Sequence, residues 1–201
     1  LGFDLDRIRQ RGRDTLDQEL KLDARGRAGT SVAWFVQGVG VAERRRPLAG
    51  GSVRKASGWE RGQTWLLFEH IGGSAVSLQI GRIALIERRS WWWDDDVDAL
   101  RLSGTGSGWR IETGLAREVM KRAVGDRGIA PELKGLTRWF GQARWSPAED
   151  HTLEGFWLVA NDGSGTPAPG TRVDDGQEDR SDARLRWAGL RASGNERVFS
   201  S

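Results

Sequence analysis

Cysteine is absent from the 201 residues. That excludes a disulfide framework, a thiolate metal site and a cysteine nucleophile. No stretch approaches the roughly 18 to 20 consecutive apolar residues that a transmembrane helix needs, so a helical membrane protein is excluded. Histidine is scarce, with His70 and His151 the only two. Neither has a serine or acid at motif spacing to form a catalytic triad. The glycine-rich phrase Gly104 to Gly108 lies between strand-like segments, not ahead of a helix as a phosphate loop requires. No enzyme is expected, and no cofactor is called for. Residues Leu1 to Asp14 lack a methionine start, a basic n-region and an apolar h-region, so a signal peptide has been removed or the chain starts partway through a longer protein.

Charge of both signs is plentiful. The 31 Lys and Arg are interleaved with 28 Asp and Glu for a net charge of +3, and only Arg9, Arg11, Arg13 and Arg44 to Arg46 form locally basic runs. Nucleic acid calls for a continuous basic face, so it is not expected as a partner. With 37% hydrophobic and 29% charged residues, the composition suits a soluble domain. It suits a membrane β-barrel equally, because spanning strands of about 9 to 11 residues alternate apolar and polar side chains. Tryptophan is abundant at 11 residues and tyrosine is absent. Trp favours a membrane–water interface, since its ring is apolar and its N–H needs a partner. Barrel girdles normally mix Trp with Tyr, and here Trp stands alone.

Alternation of period two marks nine strands. They are Leu16 to Ala28, Ser31 to Glu43, Gln63 to Ile71, Ala75 to Ile86, Val97 to Ser103, Trp109 to Val119, Gly135 to Trp145, His151 to Asn161 and Asp182 to Ala192. The segment before them reads, by itself, as a loop or weak helix. Connections alternate: 29–30, 72–74, 104–108 and 146–150 are short, 87–96 is intermediate, and 44–62, 120–134 and 162–181 are long. Tight turns at one end and long loops at the other are the habit of outer-membrane barrels. The expected fold is all-β, an antiparallel up-and-down transmembrane β-barrel with short periplasmic turns and long extracellular loops. Nine strands left open would expose two edges to lipid, so residues 1–201 are expected to form one partial barrel domain, about the first half.

One stretch carries more than a pattern. Gln79 to Leu102 reads QIGRIALIERRSWWWDDDVDALRL. A strand ending in Gly81-Arg82 leads to a loop with Trp91, Trp92, Trp93, Asp94, Asp95 and Asp96, and then to a strand phrase Asp98-Ala99-Leu100-Arg101-Leu102. This resembles the signature of the alginate-export family of bacterial outer-membrane β-barrels. The resemblance implies residence in the outer membrane and contact with the lipid bilayer and lipopolysaccharide. It further implies passive export of an anionic polysaccharide such as a polyuronate, with periplasmic export components as partners. The alternative is a soluble β-rich carbohydrate-binding or scaffold domain, with the tryptophans as core and saccharide platforms.

Parity along the strands gives a charged, lumen-facing set of Lys21, Arg25, Arg27, Arg110, Arg138, Arg144, Arg184 and Arg186, with Asp17, Glu19, Asp23, Glu69, Glu112, Glu118 and Glu154. Rows of arginine offer an anionic polymer repeated charge-assisted contacts, and interspersed acids keep any one contact from becoming a trap. The same charges also suit mutual pairing between strands. Arg82 and Arg101 match the family's Gly-Arg and hydrophobic-Arg positions and, with Asp98, join the pathway set. Strict alternation would aim both arginines at lipid, unless a bulge re-aims them or they snorkel. Trp91 to Trp93 read as an aromatic girdle or as a saccharide platform. Asp94 to Asp96 offer hard oxygen ligands but lack the spacing of a calcium loop, so no metal is expected.

Overall fold

The computed structural model describes residues 2–10, 13–47, 52–86, 94–123, 128–129, 133–148, 150–163 and 184–194. Ten strands form one antiparallel up-and-down sheet in which each pairs with its neighbour in sequence. They are β1 (Gly2–Gln10), β2 (Arg13–Ala28), β3 (Val32–Pro47), β4 (Arg54–Phe68) and β5 (Val76–Ile86). The remainder are β6 (Asp94–Gly106), β7 (Trp109–Arg117), β8 (Thr137–Ala148), β9 (His151–Asn161) and β10 (Arg184–Gly194). A single 3-10 turn, Ile71–Gly73, interrupts the connection before β5. Among the described residues no helix is long and apolar enough to cross a membrane.

Two expectations change. The segment read as loop or weak helix is β1, paired along its whole length with β2 from Gly2↔Lys21 to Gln10↔Arg13. A ladder of backbone hydrogen bonds supplies an order that so short and charged a segment does not announce by itself. The long connection expected over 44–62 is mostly strand: β3 and β4 pair from Val32↔Phe68 out to Arg45↔Arg54. Glycine and charge in that stretch mimic a loop, whereas a register shift between Val36 and Gly38 absorbs the break in alternation. This bulge changes which parity of β4 faces which way.

Connections at one end of the sheet span 11–12, 48–53, 87–93, 118–136 and 162–183; those at the other span 29–31, 69–75, 107–108 and 149–150. The two longest, 118–136 and 162–183, fall at the first end, so the two ends remain unlike.

Directly paired residues share a face, so register assigns the two faces. One row runs Gly26, Trp34, Leu66, Ile80, Leu100, Leu115, Trp139, Val159 and Arg186 across β2 to β10. This face is apolar and open to its surroundings: Leu115 is 52% and Trp139 51% exposed. Trp109, Ile111, Trp145 and Leu153 extend it. Glycines make room for the rings, as at Gly26 opposite Trp34 and Gly141 opposite Trp157, where a Cβ would collide with the indole.

The opposite face carries the row Arg27, Ala33, Leu67, Gln79, Arg101, Gly114, Phe140, Leu158 and Trp187. It is charged near one end and apolar near the other. Ile83, Leu85, Val97, Ala99, Ala116, Phe140 and Leu158 form a buried cluster there, with Trp65 packed against it. An apolar core on the charged face is not what the strand parity leads one to expect.

Candidate functional site

The arrangement around β5 and β6 explains that core. The β4–β5 ladder ends at Thr64↔Arg82, and the β6–β7 ladder ends at Ala99↔Ala116. Yet β5 and β6 stay paired with each other as far as Ile86↔Asp94. Residues 82–86 and 94–98 therefore form a two-stranded arm that leaves the sheet on both sides.

Both surfaces are covered at the root of the arm, while Ile86 farther out is exposed. Ile83 and Val97 are 1% exposed, packed in the cluster with β7, β8 and β9. Arg82, on the other surface, is also 1% exposed. The arm leans over the charged face, because Arg82, Ala84 and Ile86 line one cleft with Glu19, Lys21, Gln37 and Val39. These last four belong to β2 and β3, with which β5 shares no ladder. Gly81 sits at the root of the arm with φ of 131°. A side chain there would collide with the Thr64 carbonyl oxygen, so the bend requires glycine.

Two buried ion pairs hold the arm. Arg82 donates through Nη1 to both carboxylate oxygens of Glu118, at 3.0 and 3.1 Å. Arg61 on β4 grips Asp98 with two hydrogen bonds of 2.6 and 2.9 Å. The Asp98 carboxylate also accepts from the Val119 and Met120 backbone N–H groups, at 3.0 and 3.2 Å. Segment 118–123 then continues to β4, where the Arg61 N–H donates to the Arg122 carbonyl and Glu60 bridges Ala123. This segment fills the place beside β4 that β5 vacates. Arg82, Glu118 and Asp98 are nearly desolvated here while Arg61 keeps 22% of its side chain exposed, and the pairing of carboxylate with guanidinium makes that burial tolerable.

The second charged group lies across β6 to β10 nearer the short-turn end. Glu112, buried, receives Arg110 at 2.7 Å and has Arg101 at 3.9 Å. Arg101 also bonds Gln79. Glu154, likewise buried, receives Arg144 at 2.9 Å and Arg191 at 3.1 Å. Arg110 and Arg144 stand directly opposite each other in register. Like charges so placed repel, and the two glutamates, each shared by two arginines, offset this only in part. The patch is therefore rich in guanidinium relative to carboxylate, with Arg110 57% and Arg144 38% exposed along their side chains.

The residues expected to line a lumen divide accordingly. Lys21, Arg25, Arg27, Arg101, Arg110, Arg138, Arg144 and Glu112 share the charged face by register. Lys21 pairs with Glu19, and Arg27 with Glu69. Arg101, aimed at lipid by simple alternation, lies on the charged face because β5 and β6 are in register at Gln79↔Arg101. Arg184 and Arg186 are corrected in the opposite sense: Arg186 pairs with Val159 and joins the row of Trp139 and Leu115. Arg82 and Asp98 have the parity of the apolar face but are buried where the arm folds over. Asp94, Asp95 and Asp96, expected in a loop, begin β6; Trp91, Trp92 and Trp93 lie outside the described residues. Among the described residues no group of three or more His, Asp or Glu side chains is arranged to hold a metal ion.

Sequence reasoning passed over Arg61, Arg191 and the role of Glu118. Arg61 sat in a stretch read as loop, and Arg191 sat among residues of the wrong assumed parity. No protein-family model matches the chain, and no curated protein matches it significantly.

Proposed function

We propose that the chain forms part of an outer-membrane β-barrel of alginate-export type, a passive channel for an anionic polysaccharide or smaller anions and not an enzyme. The observation that carries this reading is the contrast between the two faces of one sheet. A row of Trp, Leu and Ile is left exposed from β3 to β9, while Arg101, Arg110, Arg144 and Arg191 gather on the other face. In water an exposed apolar face of this extent is a liability; against lipid it is what a barrel strand presents. The arginine-rich face would line the lumen and offer charge-assisted hydrogen bonds to carboxylates. The unlike ends of the sheet fit tight periplasmic turns and longer extracellular loops.

β1 and β10 each have a single neighbour among the described strands. Their outer edges would be closed by pairing with further strands, since unpaired backbone groups are not tolerated in hydrocarbon. The test is fractionation of cells producing the full parent protein, with electrophoresis of the membrane fraction before and after boiling. The expected result is an outer-membrane protein whose mobility changes on heating, followed by single-channel currents that polyuronate blocks. A soluble, heat-insensitive product would overturn the reading and turn attention to glycan stacking on Trp109, Trp139 and Trp145.

A further inference from the structure

The arm of residues 82–86 and 94–98 has an unusual balance of forces. Beyond Arg82, which still pairs with Thr64, it has no backbone ladder to β4 or to β7, so side chains dock the rest of it. On one surface an apolar cluster holds it; on the other, the Arg82–Glu118 and Arg61–Asp98 pairs do. The Nε atoms of both Arg61 and Arg82 are buried with no hydrogen-bond partner among the described residues. Both guanidiniums would therefore recover hydration if the arm moved away, which lowers the net gain from docking. The bend at the root of the arm is confined to Gly81, whose φ of 131° few other residues adopt.

Docked, the arm divides the charged face. On the β7–β9 side it packs against Ala116, Phe140 and Leu158. On the β2–β4 side it leaves a cleft of about 350 Å³. The arm presents Asp95 and Asp96 to that cleft, alongside Glu19 and Glu60. Four basic residues line it as well, and each is already engaged: Lys21 and Arg122 with Glu19 and Glu60, Arg61 and Arg82 with Asp98 and Glu118. An anionic chain passing the docked arm would meet carboxylates and basic groups that are already paired, whereas the arginine-rich patch on β6–β10 lies beyond it.

We propose that this arm is a releasable tongue, latched over the charged face by Arg82–Glu118 and Arg61–Asp98, whose release widens the passage for an anionic chain. Its effect on passage rests on the channel reading; its release as a unit does not.

Two measurements test release. In the unaltered protein, hydrogen exchange followed by mass spectrometry should show residues 82–86 and 94–98 exchanging together. They should do so at least about tenfold faster than residues 76–80 and 100–104 of the same two strands, as expected of a cooperative local opening. Equal protection along both strands would overturn the proposal. The absence of native cysteine permits the second measurement. Val97→Cys reports on the arm, and Ala33→Cys, buried on β3 outside the apolar cluster, reports on the sheet. Adding Glu118→Gln should speed maleimide labelling of the first about tenfold or more and leave the second unchanged. Acceleration of both, which signals general unfolding, or of neither would overturn the latch. Single-channel currents then separate the two readings. A larger unitary conductance with Glu118→Gln supports control of passage, and an unchanged conductance overturns it. Release of the arm in a protein that conducts in no variant would leave the tongue standing and sink the channel.

Discussion

The two charged groups on this sheet use the same chemistry in different surroundings. Arg82 and Glu118 are nearly sealed from solvent, with side chains 2% and 7% exposed. In the β6–β10 patch the glutamates are buried but two of their arginines reach outward, Arg110 to 57% and Arg144 to 38%. A buried pair contributes little net stability while intact and costs a great deal when halved, because the survivor is left charged and dry. A half-exposed arginine that loses its partner turns to water, or to another anion. The sealed pairs are thus suited to fixing a geometry, and the open patch to exchanging partners.

Halving the sealed group should give the largest effect. Glu118→Ala strands Arg82 and should destabilise the protein by about 3–5 kcal/mol, measured as a shift of the unfolding midpoint in denaturant. A loss below about 1 kcal/mol would mean that water already reaches Arg82 and that the two groups are not so different. Next comes the bend that brings the sealed group together. Gly81→Ala forces a side chain into a φ of 131° and against Thr64, and about 1–3 kcal/mol should be lost. A neutral outcome would show that the arm does not depend on that bend.

In the open patch, Glu154→Gln removes one carboxylate from two arginines. Because Arg144 is well exposed, the stability cost should be smaller, about 1–2 kcal/mol. On the proposed channel reading, the same change should tighten the block by polyuronate, since it frees two guanidiniums. Weaker block would reverse the assigned role of the patch. Lys21→Ala, which breaks an exposed pair with Glu19, should cost no more than about 1 kcal/mol at low salt. That small cost should vanish near 1 M salt, as unfolding at two ionic strengths would reveal. A cost that persisted would place Lys21 with the sealed group.

Much of this was legible from alternation. Eight of the strands, from β2 onward, show themselves as apolar and charged residues in turn, and β10 is recognisable although its facing is not. β1 is not legible because a strand's order comes from its neighbour, here β2, and its own alternation breaks between Leu5 and Ile8. The break in β4 misled for a related reason: a bulge changes parity, and parity is invisible until the partner strand is in place. Arg186 shows the same limit, because alternation says that its neighbours point the other way without saying which way is in.

The sequence by itself determined most of the strands, their antiparallel succession and the abundance of tryptophan, all of which depend on local pattern and residue type. Only the tertiary structure decided which charges are paired, which face Arg101 and Arg186 occupy, and that the Gly81–Arg82 turn starts an arm leaving the sheet. Those outcomes depend on register between strands and on contacts such as Arg61–Asp98, between residues far apart in the chain. Local periodicity carries no information about how one strand is set against the next.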